Sequence, residues 1–272
     1  MLTAEIERAK RKHPENMDAY DLFLQALPGL YTFDIDKNSQ SLDLLHRAIK
    51  IDPNYPQALA YAAWAYEQRL TRGWPGYGQN DLETAVSLAR RSITTATEDP
   101  HALAFSGFVL VMTAEDYELG VLTGERALQN NPNIGFISMM VAAVFLFGGG
   151  DIIKAKECIE HAIRVSPKDP AAHLFYMIRG LIYLDLGEIE KAIESCKTSV
   201  QLFSTWDTSL WSLIAVLVEN GEVQEAGKVV QRLLKVDTTT TVRKVNTNFR
   251  INNQGLKMKM IEGLRKAGLP EK

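Results

Sequence analysis

The side chains best suited to acid–base or metal chemistry in this 272-residue chain are its five histidines, His13, His46, His101, His161 and His173, and they are widely scattered. A zinc or general-base site needs its groups a helical turn or a short loop apart, as in two histidines four residues apart or two closely spaced cysteines. No pair here meets that spacing. His101 and His173 stand near the starts of helices, where capping or surface roles are expected. Glu157, Glu160 and His161 read as one solvated helix face, and Glu115 and Asp116 adjoin at a turn, where acidic caps are common. Gly148 to Gly150 follow no strand and precede no phosphate-binding lysine, so they read as a turn between helices. Cys158 and Cys196 lie among apolar neighbours and are expected to be reduced core residues. The residues therefore predict no catalytic group, no metal ligand and no cofactor. They predict a protein that is not an enzyme.

The elements around that glycine run are more informative. Ala142 to Pro167, AAVFLFGGGDIIKAKECIEHAIRVSP, reads as two antiparallel helices. The glycines break the first helix, Asp151 caps the second, and Pro167 ends it. Ala142, Ala155 and Ala162 are the small residues that two closely crossing helices need. One such hairpin cannot bury its own apolar face, so a stack of them is required.

The spacing recurs. Ala127 and Pro132 repeat Ala162 and Pro167, with Gly107 and Gly120 as crossing residues; Ala48 and Pro53 repeat them again, with Ser41 in the place of Ala155. Downstream, Gly180, Tyr183, Gly187, Ala192 and Ser199 keep the register, followed by Leu213, Gly221, Ala226 and Leu233. With Ala63 and Tyr66, the pattern amounts to about six hairpins between Ala19 and Asp237. A period near 34 residues with these small residues and prolines resembles the tetratricopeptide repeat. The fold expected is all-α, a right-handed superhelical tetratricopeptide solenoid with a C-terminal capping helix.

Three parts are expected: an N-terminal helix and linker over 1–17, the repeats over 18–237, and an extended arm with a capping helix over 238–272. The helix of the first part is placed at Thr3 to Lys12. In the first hairpin, Pro28 and Gly29 are expected to end the first helix early, with a long connection from Tyr31 to Gln40. In the second, Thr71 to Asp81 adds roughly ten residues to the turn such a repeat requires. Arg72, Trp74 and Tyr77 in that insertion imply an ordered loop packed over the helix edge or a contact surface for a partner, with a disordered tip as the remaining reading. The run Thr238 to Thr241 and the basic VRKVNTNFRINN after it read as the extended arm. Gly255 to Lys266 reads as the final helix.

In a tetratricopeptide stack the first helix of each hairpin lines the inner groove. That phase assigns Trp64, Glu67 and Gln68 to the lining, then Ala104, Phe108 and Met112, then Met139, Ala143 and Phe147. Met177, Leu181 and Asp185 follow, and Trp211, Ala215 and Glu219 close it. Two readings are open. Either these side chains pack on one another, or they form a hydrophobic groove for an amphipathic helix or a second copy of the chain, with methionine supplying adaptability. The lining lacks the Lys, Arg and Asn donors that gripping a C-terminal carboxylate would require.

Net charge is −3, from 30 basic and 33 acidic residues, so nothing in the composition draws nucleic acid. Ile137 to Phe147 is too short to span a bilayer, and Met1 to Lys12 lacks the apolar core of a secretory signal. A cytoplasmic protein with no membrane partner is expected. Its partner is expected to be a protein or peptide, a homodimer included.

The phrases AYDLFLQALPGL, HRAIKIDPNYPQALAYAAWAYEQRLTRGWP and EGLRKAGLPE give a more particular resemblance. They are similar to the repeat region at the C-terminus of certain bacterial multidomain proteins, among them class III adenylate/guanylate cyclases and winged-helix regulators. In those relatives a catalytic or DNA-binding domain precedes the repeats. Here no stretch before the repeats is long enough for one, so no cyclase residue carries over. The resemblance implies the regulatory or interaction part alone, with a cyclase fragment and a sensor of small apolar ligands at hairpins three to five as the competing readings.

Overall fold

The computed structural model describes residues 6, 18–96, 98–131 and 133–272; apart from Ile6, the helix expected at Thr3 to Lys12 lies outside them, as does Pro132. Fourteen α-helices occur among the described residues. They fall into two compact units, 1–130 and 131–272. The N-terminal unit holds three hairpins: α1 (Ala19–Leu30) with α2 (Ile35–Ile51), α3 (Pro56–Arg72) with α4 (Asp81–Thr95), and α5 (Pro100–Val109) with α6 (Tyr117–Asn130). A π-helical turn, Leu110–Ala114, prolongs α5. The C-terminal unit holds three more: α7 (Gly135–Gly148) with α8 (Ile152–Val165), α9 (Ala172–Leu186) with α10 (Ile189–Leu202), and α11 (Asp207–Glu219) with α12 (Val223–Val236). Two further helices, α13 (Val242–Asn248) and α14 (Gln254–Lys266), follow.

Each hairpin forms for the reason its small residues suggest. A Cβ on Gly107 would lie 2.9 Å from the carbonyl oxygen of Gly120, and one on Gly120 would lie 2.5 Å from Val111 Cγ2. A Cβ on Gly180 would meet Cys196 Sγ at 2.4 Å. Ala155, Ile159 and Ala162 of α8 are fully buried against α7. Asp151 caps α8 by accepting from the amides of Ile153 and Lys154, and Gly149 takes the left-handed conformation, φ +75°, that ends α7. Within each unit, successive hairpins stack first helix on first helix and second helix on the next first helix.

Four expectations are corrected. Helix α1 runs through Pro28 and Gly29 to Leu30. Gly29 serves as a crossing residue, since a Cβ there would sit 2.3 Å from Ser41 Oγ. The connection after it is only 31–34, because Asp34 caps α2 by accepting from the amides of Asp36 and Lys37. The expected extended arm contains α13. Its cap is Thr241, whose hydroxyl accepts from the Lys244 amide, and the amides of Val242 and Arg243 are taken by the carbonyls of Pro270 and Glu271. His173 is neither a cap nor on the surface. It is buried edge-on to the rings of Phe203 and Trp206, and burial pushes its pKa down to about 4.

Candidate functional site

The richest chemistry lies along α3 in the N-terminal unit. Trp64 is at the centre of an aromatic cluster, with ring centroids of Tyr31, Phe33, Tyr61 and Phe105 at 5.4, 6.1, 6.2 and 4.9 Å. One turn on, three consecutive polar residues, Glu67, Gln68 and Arg69, are all buried. Such groups need partners, because an unpaired buried donor or charge is costly. Arg69 donates through Nε and Nη2 to the carbonyl of Pro75 at 3.0 and 2.7 Å, and through Nη1 to Asn38 Oδ1 at 2.9 Å and Ser39 Oγ at 3.2 Å. Asn38 Nδ2 donates to the carbonyl of Ala65 and to Gln68 Oε1, and Gln68 Nε2 reaches the carbonyl of Leu30. Gln68 is therefore a tie between α1, α2 and α3, and no open groove exposes it. Glu67 is 3% exposed. Burial pushes its carboxyl up to about 7, with the Arg72 charge and the Thr71 hydroxyl offsetting part of that rise.

The insertion is ordered and begins at Gly73. Its backbone bends around Asp81, which accepts from the amides of Tyr77 and Gly78, both at 2.7 Å. The Tyr77 ring stacks on His46 and its hydroxyl donates to Asp43, so the loop is fastened to α2 as well as α3. Arg72 stands at the rim, its guanidinium 4.9 Å from the Phe33 ring centroid and 5.5 Å from that of Trp74. All three of these side chains are half-buried. Phe33 has φ +52°, a left-handed conformation that costs a bulky residue about 1 kcal/mol or more.

The remaining expected lining residues divide by unit. On α5 and its π-helical turn, Phe108 is half-buried and Met112 is buried. In the C-terminal unit Met139, Phe147, Met177, Leu181 and Trp211 are all buried. Part of that burial comes from a segment that sequence spacing did not place here. Phe249 packs edge-on against Phe147 with centroids 5.5 Å apart, and the Asn252 amide donates to the Phe147 carbonyl at 2.8 Å. Helix α14 lies on the first helices α11 and α9, so close that a Cβ on Gly263 would sit 2.8 Å from Ala215 Cα. The run Asn252-Asn253-Gln254 is a legible helix start, but the surface it docks on is not written locally. Phe33, Asn38 and Arg69 were missed for the same reason, since their partners stand roughly thirty residues away along the chain.

Among the described residues no three His, Cys, Asp or Glu side chains are grouped to hold a metal ion. No described helix is long and apolar enough to cross a membrane. Burial pushes the thiols of Cys158 and Cys196 up to about 11 and about 12, which keeps them protonated at neutral pH.

Residues 174–204, covering most of α9 and α10, match the tetratricopeptide-repeat family model. No curated protein matches the sequence. Among solved structures, the chain is similar to human IFIT1, solved as a dimer with PPP-AAAA, at a TM-score of 0.66 and 16% identity over 92% of this chain and 59% of that one. It is similar to the APC/C hetero-tetramer Cut9-Hcn1 at a TM-score of 0.65 and 13% identity, over 91% of this chain and 45% of that one. A tetratricopeptide protein of Thermus thermophilus, TTC0263, gives a TM-score of 0.53 and 17% identity over 76% of this chain and 99% of that one. The chain thus spans about half the length of the first two. The fold is a tetratricopeptide solenoid, built from the paired all-α hairpins described above. These matches lend no support to an association with cyclases.

Proposed function

We propose that this chain is a non-catalytic protein-interaction module that takes a protein or peptide segment at the rim of its N-terminal unit. The Phe33–Arg72–Trp74 stack is the observation that carries the reading. Tetratricopeptide folds mediate protein–protein interactions, and the aromatic and arginine side chains held here are the types that dominate binding hot spots. The stack is half-buried, ordered from below by the Arg69 network, and set on a backbone strained at Phe33. A partner supplying an apolar side chain to the rings fits this chemistry, whether it is an amphipathic segment of another protein or a second copy of the chain. The Cut9-Hcn1 assembly and the IFIT1 dimer, whatever their own partners, are examples of this architecture working in complexes.

The test compares the wild-type chain with a Phe33→Ser/Trp74→Ser variant. Both are passed through size exclusion with light scattering, then used to capture proteins from the source cells, with circular dichroism as the folding control. Loss of self-association or of specific captured proteins at unchanged helicity is the expected result. An identical mass and an identical captured set for both chains would remove the rim from consideration.

A further inference from the structure

We propose that residues 249–266 are a tethered occupant of the first-helix face of the C-terminal unit, and that this face accepts a basic amphipathic helix from another chain when the tether lifts. This face belongs to the other unit and is separate from the rim of α3. The last carbonyls of a helix have no intrahelical partner. Those of α7 find one in this segment, where Asn252 donates from its amide to Phe147 O and from Nδ2 to Gly148 O at 3.1 Å; on α9, Lys259 Nζ donates at 3.0 Å to Leu184 O, which also accepts from the Gly187 amide. Asn253 Nδ2 donates to Asp185 Oδ2 at 3.0 Å, while its own Oδ1 caps α14. All of these contacts lie on first helices, where the segment behaves as a bound peptide does.

The apolar side of the segment matches that role. Phe249, Ile251, Leu256, Met260, Ile261 and Leu264 are buried, whereas Met258 and Arg265 on the opposite side are exposed. This is the pattern of a helix laid into a groove. Charge separates it further from what it covers. Residues 242–272 carry eight Lys and Arg against two Glu, whereas residues 131–241 of the same unit carry ten Lys and Arg against thirteen Asp and Glu.

The segment also holds together on its own terms. Helix α13 packs on α14, Val242 and Arg243 donate to the carbonyls of Pro270 and Glu271, and Arg265 pairs with Glu271. Those bonds lie wholly within 242–271 and survive if the piece swings away. What is lost is the set of contacts to Phe147, Gly148, Leu184, Asp185 and Ala215.

The test uses the full chain and a labelled peptide of residues 242–272 as the probe. An occupied site lowers apparent affinity in proportion to the open fraction. A Phe249→Ala/Asn252→Ala/Lys259→Ala variant, weakened only in its contacts to α7 and α9, is therefore expected to bind the peptide about tenfold tighter or more than wild type in fluorescence anisotropy. The binding is expected to weaken as salt rises. Equal affinity of the two chains, with helicity retained, overturns the proposal. Hydrogen exchange on the wild-type chain provides the reading if the variant fails to fold. Amides of 254–266 exchanging through an opening that leaves α9–α11 protected support a detachable segment, and exchange only together with α11 refutes it.

Discussion

Glu67→Gln is expected to stabilise the chain above pH 7 and to leave it nearly unchanged at pH 4.5. The carboxyl is 3% exposed, and burial raises its pKa from 4.5 to about 7. Between those values the folded chain keeps a proton that the unfolded chain releases. Stability is therefore full below pH 4.5, falls as pH rises toward 7, and levels off above it. At about 1.4 kcal/mol per pH unit, the gap is worth roughly 3 kcal/mol at pH 8. Glutamine keeps the shape and the acceptor but has no charge to bury, so its stability should not follow that slope. Urea denaturation followed by tryptophan fluorescence at pH 4.5, 6 and 8 reads the effect directly, since Trp64 stands one turn away on α3. The variant's midpoint should pull ahead of wild type as pH rises. The same midpoint difference at all three pH values would refute the reasoning, because it would place the carboxylate in water.

Two further changes test the framework under the sites. Arg69→Ala strips the donors from Pro75 O, Asn38 Oδ1 and Ser39 Oγ and should cost on the order of 3 kcal/mol. The freed loop should then be cut by chymotrypsin after Tyr77, where wild type resists, and equal digestion rates would show that Arg69 does not hold it. Gly180→Ala drives a Cβ to 2.4 Å from Cys196 Sγ and should lower stability by about 1–3 kcal/mol. Adding Cys196→Ala should restore part of that loss, and strictly additive effects in the double variant would show that the two residues are not in contact.

How much of this could be read along the chain depends on the range of each interaction. Hairpin crossings were legible because Gly107, Gly120, Gly180 and Ala155 have to be small wherever they meet their own partner helix, a neighbour in sequence. Helix starts such as Asp151 and stops such as Gly149 were legible because capping is a matter of a few residues. The insertion's length and aromatic content marked it out, but its attachment did not show, since Asp43 and His46 come from the preceding hairpin.

The amino-acid sequence by itself determined an all-α fold of about six hairpins and most of their turns, the first hairpin's excepted, because these rest on contacts within a hairpin. Only the tertiary structure decided which side chains of the first helices stay available. Arg69 finds its acceptors on α2 and in the loop, burial of Glu67 displaces its titration, and α13 forms because Pro270 and Glu271 supply acceptors from the far end of its segment. The first-helix face of the C-terminal unit is filled by a segment more than a hundred residues from Phe147 and Gly148. Periodicity reports a preference for burial, and the partner that does the burying is set by distances that only the folded chain contains.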